Sequence, residues 1–171
     1  GASVVNALSE WLEVYVERDN KTFYQKFERG KSIDPLKIIS SSERRGTTVI
    51  FKADNQIFKE TVVFDYETLR HRLRQLAFLN KGLKINVADT RNPEQIKKVT
   101  YCYEGGIVEY INFLNKSKTS LHNDVIYIED SIENVQIEIA FQYTDDYTAN
   151  IYSFVNNIHT PEGGTHEEGY R

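Results

Sequence analysis

The stretch from Leu12 to Phe27 restricts the fold more than any other part of the chain. Leu12, Val14 and Val16 alternate with Glu13, Tyr15 and Glu17, and after Asp19-Asn20-Lys21 the pattern resumes with Phe23, Gln25 and Phe27 against Tyr24, Lys26 and Glu28. Successive side chains of a strand point to opposite faces, so this is a β-hairpin with one face for a core and one for water. A two-stranded hairpin is marginal alone and needs further strands or a covering layer. Gly46-Thr47-Thr48-Val49-Ile50-Phe51 reads as one such strand, after a polar loop around Pro35 and from Ser40 to Arg45. Ahead of the hairpin, Val4, Leu8 and Leu12 recur every four residues and, with Val5 and Trp11, predict an opening helix.

From Asp65 the period becomes helical. Asp65 is the expected N-cap, Leu69, Leu73 and Leu76 the buried stripe, and Lys81-Gly82 the stop. Arg70, His71, Arg72 and Arg74 are expected on a solvated face. Leu83, Ile85 and Val87 alternate as a strand. Thr90 to Lys98 is polar, carries Pro93 and lacks periodicity, which marks a domain boundary. Beyond it come a helix after Gly105-Gly106 with Ile107, Ile111 and Leu114, a hairpin of Val125–Glu129 and Val135–Tyr143, and a strand over Ala149–Asn156. Antiparallel hairpins with helices packed on them define an α+β class, with two layers in each half.

Among 171 residues, 21 are basic and 25 acidic, a net charge of −4 that gives no sign of a phosphate-gripping surface. No apolar run approaches the ~20 residues needed to span a bilayer. The single cysteine, Cys102, cannot form an internal disulfide and suits a reducing cytoplasm. It sits between two tyrosines on an expected strand and reads as a small core residue. The sequence has no methionine and stops at Gly169-Tyr170-Arg171 just after a Gly-rich turn, so we expect an internal fragment of a longer chain.

Three segments carry possible chemistry. Gly1-Ala2-Ser3 opens the first helix, where small residues let backbone N–H groups approach an anion, although a simple cap is the plainer reading. Thr47 enters a strand, and its hydroxyl can both donate and accept toward a nucleobase, directly or through water; a β-branched strand residue is the plainer reading. In Gly163-Gly164-Thr165-His166-Glu167-Glu168, Thr165 and Glu168 fit a capping box. His159, His166, Glu167 and Glu168 lack the spacing of a zinc site, so no metal is expected there. No nucleophile elbow or P-loop occurs.

The order of several blocks resembles one family along the whole chain. Gly1-Ala2-Ser3-Val4-Val5-Asn6-Ala7-Leu8-Ser9 looks like the end of the ATP-lid motif of DNA gyrase B subunits and their topoisomerase IV relatives. Gly46-Thr47-Thr48-Val49, Leu76-Ala77-Phe78-Leu79-Asn80-Lys81-Gly82, Tyr103-Glu104-Gly105-Gly106-Ile107, Phe154-Val155-Asn156-Asn157-Ile158 and Gly163-Gly164-Thr165-His166-Glu167-Glu168-Gly169 resemble further family blocks in the same order. The Glu104 to Ile107 and Gly164 to Gly169 blocks, with an aromatic at Tyr170, look more like gyrase than topoisomerase IV.

The resemblance implies residues 1–98 as the C-terminal part of a GHKL-type ATPase sandwich. It implies 99–171 as the start of a transducer domain of the ribosomal S5 domain 2-like kind. It further implies a cytoplasmic protein that binds ATP with Mg2+, dimerises on binding it, and joins a gyrase A subunit in an A2B2 assembly. That assembly would negatively supercoil DNA by double-strand passage. Gly1, Ala2 and Ser3 match the lid over the triphosphate, and Thr47 matches the threonine beneath the adenine, in the region where aminocoumarin-type inhibitors compete. The family's general-base glutamate, magnesium-binding asparagine and adenine-reading aspartate would precede residue 1, so the chain alone is expected not to hydrolyse ATP. The alternatives are the B subunit of a topoisomerase IV and a non-catalytic module on the same scaffold. With part of its core partnerless, the first half is expected to be poorly soluble or molten alone.

Overall fold

Asp19 and Asn20 both take positive φ, 52° and 56°, the mirror-image turn whose twist matches that of two antiparallel strands. They join β1 (Ser9–Arg18) to β2 (Lys21–Glu28), paired with Tyr15 opposite Tyr24 and Leu12 opposite Phe27. The computed structural model describes residues 1–171, in two compact units, Gly1–Phe64 and Asp65–Arg171.

The first unit is one antiparallel sheet with a short helix. Its strands run β3 (Lys31–Ser32), β2, β1, β5 (Gly46–Ala53), with β4 (Lys37–Ser41) also paired to β2. β4 lies where the sequence predicts a polar loop. Ile38 and Ile39 are adjacent instead of alternating, and the register shifts between Thr22 and Phe23, so period-two reading misses it. Helix α1 (Ala2–Ala7) is shorter than the predicted stripe. Leu8 ends it, and Trp11 and Leu12 belong to β1, because Ser9 pairs with Ala53 and the backbone bonds have passed to the sheet. On one face Tyr15 and Tyr24 donate to the two carboxylate oxygens of Glu13, each at 3.1 Å. Burial first and the Glu13 contact second raise both phenols above their ordinary pKa.

The second unit begins with α2 (Tyr66–Leu79), capped as expected: Asp65 accepts the Thr68 N–H at 2.7 Å, and the Thr68 side chain first and its N–H second hold the carboxyl below the ordinary range. Asn80 ends the helix, and Gly82 turns the chain with φ +76°. β6 (Ile85–Asp89) pairs with β7 (Lys97–Tyr101), Val87 opposite Val99. This hairpin bridges the anticipated boundary between residues 98 and 99. Next come α3 (Gly106–Leu114), the hairpin β8 (Ile126–Ile132) and β9 (Val135–Phe141), a two-residue hairpin β10 (Phe154–Val155) and β11 (Ile158–His159), and α4 (Thr165–Tyr170). The long strand expected over Ala149–Asn156 thus contracts to Phe154–Val155, turned back by Asn156 and Asn157 at positive φ.

The core of this unit is aromatic. Phe78, 2% exposed, stacks on Tyr103 at 3.6 Å, Tyr110 at 5.0 Å and Phe113 at 5.5 Å between centroids. The arginine-rich face of α2 is not the solvated face the charge run suggested. Arg74 lies 3.9 Å from the Phe113 ring centroid and donates to the Tyr103 hydroxyl at 2.8 Å, Arg70 bonds Glu67, and Arg72 contacts Gln75 and the Asn157 carbonyl. His71 alone of the four is exposed. Ala77 and Phe78 are the buried residues of α2, whereas Leu69 of the expected stripe is exposed. Cys102 falls just past β7 and is exposed, not a core residue.

Candidate functional site

Thr47 is the second residue of β5, opposite Val16, and its side chain is exposed. Phe51 and Ala53 of the same strand line an apolar cavity of ≈ 270 Å³ together with Val5, Leu8 and Phe58. Strand alternation puts Thr47 and Val49 on that same face. The other residues the sequence singled out, Gly1, Ala2 and Ser3, form the N-cap and first turn of α1, all exposed. The first N–H groups of any helix lack intrahelical partners and can face an anion, although α1 has only six residues.

The C-terminal end of α1 borders the face of β5 that carries Thr47, since Val5 and Leu8 line the cavity with Phe51 and Ala53. α1 leaves the sheet where Ser9 pairs with Ala53, and Thr47 is six residues further along β5, on the order of 20 Å at a strand rise of about 3.3 Å per residue.

Asp54, directly after β5, escapes a reading by motif or spacing. It is 1% exposed, accepts from Arg29 Nε at 2.8 Å and from the Gln56 N–H at 2.9 Å, and its own N–H donates to the Leu8 carbonyl at 3.0 Å. The backbone bond from Gln56 leads, with Arg29 adding to it, in holding its carboxyl below the ordinary range against burial.

A second cavity, ≈ 390 Å³, lies among Tyr152, Ser153, His159, Thr160 and Glu167. Its polar groups are engaged with one another: Ser153 donates to Glu167 at 2.9 Å, Arg171 does so at 2.8 Å, and His166 meets the Thr160 hydroxyl at 3.2 Å. The predicted capping box is not formed. Helix α4 starts at Thr165 with Gly164 as its N-cap and no side-chain cap bond, so Thr165 is the first helical residue and not the cap that would pair with Glu168.

Known proteins resemble the chain along its whole length. The model of the DNA gyrase B family matches residues 106–171. The DNA gyrase B protein of Halalkalibacterium halodurans is 53% identical over all 171 residues, which cover 26% of that protein. Its Staphylococcus aureus counterpart is 47% identical over the same residues, 27% of its length. The crystal structure of the 43K ATPase domain of Thermus thermophilus gyrase B, in complex with an aminocoumarin, superposes with a TM-score of 0.83 at 35% identity, covering 99% of this chain and 46% of that one. The fold is therefore that of a type II topoisomerase ATPase domain. At this identity along its full length, the chain belongs to the DNA gyrase B family. It spans about a quarter of the length of these curated relatives. Their names favour gyrase over topoisomerase IV, in agreement with the sequence blocks.

Proposed function

We propose that the chain is part of the ATP-binding subunit of a DNA gyrase, in which ATP binding and hydrolysis drive negative supercoiling by double-strand passage. The observation that carries this reading is the family relation along every residue of the chain, not any single side chain. Bound ATP, with Mg2+, would supply the cleavable triphosphate. Gly1, Ala2 and Ser3 would cradle its phosphates through first-turn N–H groups, and Thr47 would hold the adenine through a water-bridged hydroxyl contact. The meeting of α1, through Val5 and Leu8, with the face of β5 that carries Thr47 supports this assignment. None of the four is a magnesium ligand.

In the same reading, residues 1–98 belong to the ATPase domain and 99–171 to the transducer. The family-model match beginning at Gly106 is in keeping with this division. The β6–β7 hairpin would then be a hydrogen-bonded join between the two. Partners would be DNA, a gyrase A subunit in an A2B2 assembly, and a second copy of the ATP-binding subunit docking when ATP binds, in the cytoplasm. No helix is long and apolar enough to cross a membrane.

The test takes a protein of family length carrying this sequence, mixed with an A-type subunit, relaxed plasmid and ATP. Negative supercoils that require ATP are expected. Relaxation and decatenation without supercoiling would make it a topoisomerase IV component, and neither activity would overturn the proposal. In the same protein, Thr47→Val keeps the β-branched shape and removes the hydroxyl. A lost hydrogen bond of about 1 kcal/mol is expected to raise the KM for ATP roughly fivefold with little change in kcat. An unchanged KM would remove Thr47 from the site.

A further inference from the structure

Three parts of the first unit meet at one buried carboxylate. Helix α1 ends at Ala7, and Leu8 passes its carbonyl to the Asp54 N–H at 3.0 Å. The turn after β2 brings Arg29, whose Nε donates to Asp54 Oδ2 at 2.8 Å and whose own N–H bonds the Glu10 carbonyl at 3.3 Å. Gly30 follows with φ +80°, and a Cβ on it would stand 3.3 Å from the Ala7 Cα, so the turn lies hard against the end of α1. Arg29 itself adopts φ +46°, a costly backbone for an arginine, held by its place between Glu10 and Asp54.

What this junction fixes is the direction of α1. The helix has no buried residue of its own, and Val4 is 59% exposed. Its attachment is concentrated at one end: the Leu8–Asp54 bond, the Ser9 hydroxyl donating to the Val5 carbonyl at 2.6 Å, and the apolar cavity that Val5 and Leu8 line with Phe51 and Phe58. Gly1, Ala2 and Ser3 lie at the other end, so a small rotation at the anchor is magnified there. Thr47, by contrast, is held by pairing in β5 itself, six residues from the anchor.

We propose that Asp54, with Arg29, is a positioning residue for nucleotide binding, aiming α1 so that its first turn meets the phosphate end of the ligand. The inference rests on the ATP-binding reading above. It assigns to an ion pair whose carboxylate is buried the setting of the phosphate half of the site, independently of the adenine half.

The test uses the family-length protein and two probes, a non-hydrolysable ATP analogue and adenosine, which lacks the phosphates. Asp54→Ala and Arg29→Ala are each expected to weaken the analogue about tenfold while adenosine binding stays within about twofold, since misplaced contacts act only where they are made. Arg29→Lys, which keeps the cation, is expected to restore most of the analogue affinity. If Asp54→Ala fails to fold, Asp54→Asn and Arg29→Ala carry the comparison. Unchanged analogue binding in the folded variants overturns the proposal, as does an equal loss of both probes, which would mark a merely structural role. A wild-type protein that binds neither probe would instead sink the ATP-binding reading and leave the ion pair as an anchor only.

Discussion

Phe78→Ala is expected to remove about 3–5 kcal/mol of stability, the range for truncating a buried aromatic and leaving a cavity. Phe78 is the hub of the second unit. Its ring faces Tyr103, Tyr110 and Phe113 and sits 5.9 Å from the guanidinium carbon of Arg74. These partners come from α2, from α3 and from the segment between β7 and α3, so the substitution loosens the packing of all three at once. Little else can compensate, because the fully buried apolar side chains of this unit are few: Ala77, Phe78, Tyr101 and Tyr110. Domains are stable by only about 5–15 kcal/mol, so a loss of this size removes much of the margin. In the family-length protein the thermal midpoint of this region should fall by on the order of 10 °C, with early proteolytic cutting between residues 65 and 114. Phe78→Leu, closer in volume, should cost less than half as much. A loss below about 1 kcal/mol for Phe78→Ala would mean that the aromatic cluster is not the core it looks to be.

Elements that declare themselves locally were legible in the sequence. The β1–β2 hairpin carries its alternation and its turn in eighteen consecutive residues or so, and the cap of α2 is a contact between Asp65 and Thr68 three positions apart. What escaped depends on partners distant in the chain. A row of arginines on α2 looks solvated until Tyr103 and Phe113, roughly thirty and forty residues on, fold over Arg74. The opening stripe of Val4, Leu8 and Leu12 fits a helix, yet Ala53 and Asp54 draw the chain into the sheet after Ala7, a tertiary override of a local pattern. Asp54 and Arg29 are separated by 25 residues and have no spacing signature, so only the folded chain reveals them as a pair.

The candidate site divides along the same line. The helix start at Gly1 and the strand entry at Thr47 could be read as elements from local pattern. Their joint role came from resemblance, because neither residue type is distinctive by itself. The fold adds what the sequence lacked: the end of α1, through Val5 and Leu8, borders the face of β5 on which Thr47 lies.

The isolated 171-residue chain is expected to bind the dye ANS several-fold more strongly than a well-packed protein of its size and to unfold over a broad range instead of cooperatively. The reason is the first unit, where Leu12 is the one fully buried apolar side chain. On the face of β5 that carries Thr47, Val49 is 51% and Phe51 42% exposed, and beyond the strand Val63 and Phe64 are 68% and 49% exposed. Scattered apolar residues on a surface are ordinary, but these lie together along one strand and the segment following it, the arrangement of a core face lacking its second layer. The outer edge of β5 is also unpaired, since its sole partner is β1. Amide resonances from residues 1–64 should therefore be broad and poorly dispersed, while those around Phe78 in the second unit persist. If instead sharp, well-dispersed peaks are seen throughout residues 1–98 and ANS stays dark, the sheet is stable without a further layer. Exposed Val49 and Phe51 would then be surface residues in their own right, and the face carrying Thr47 would be free to meet a ligand in the isolated chain.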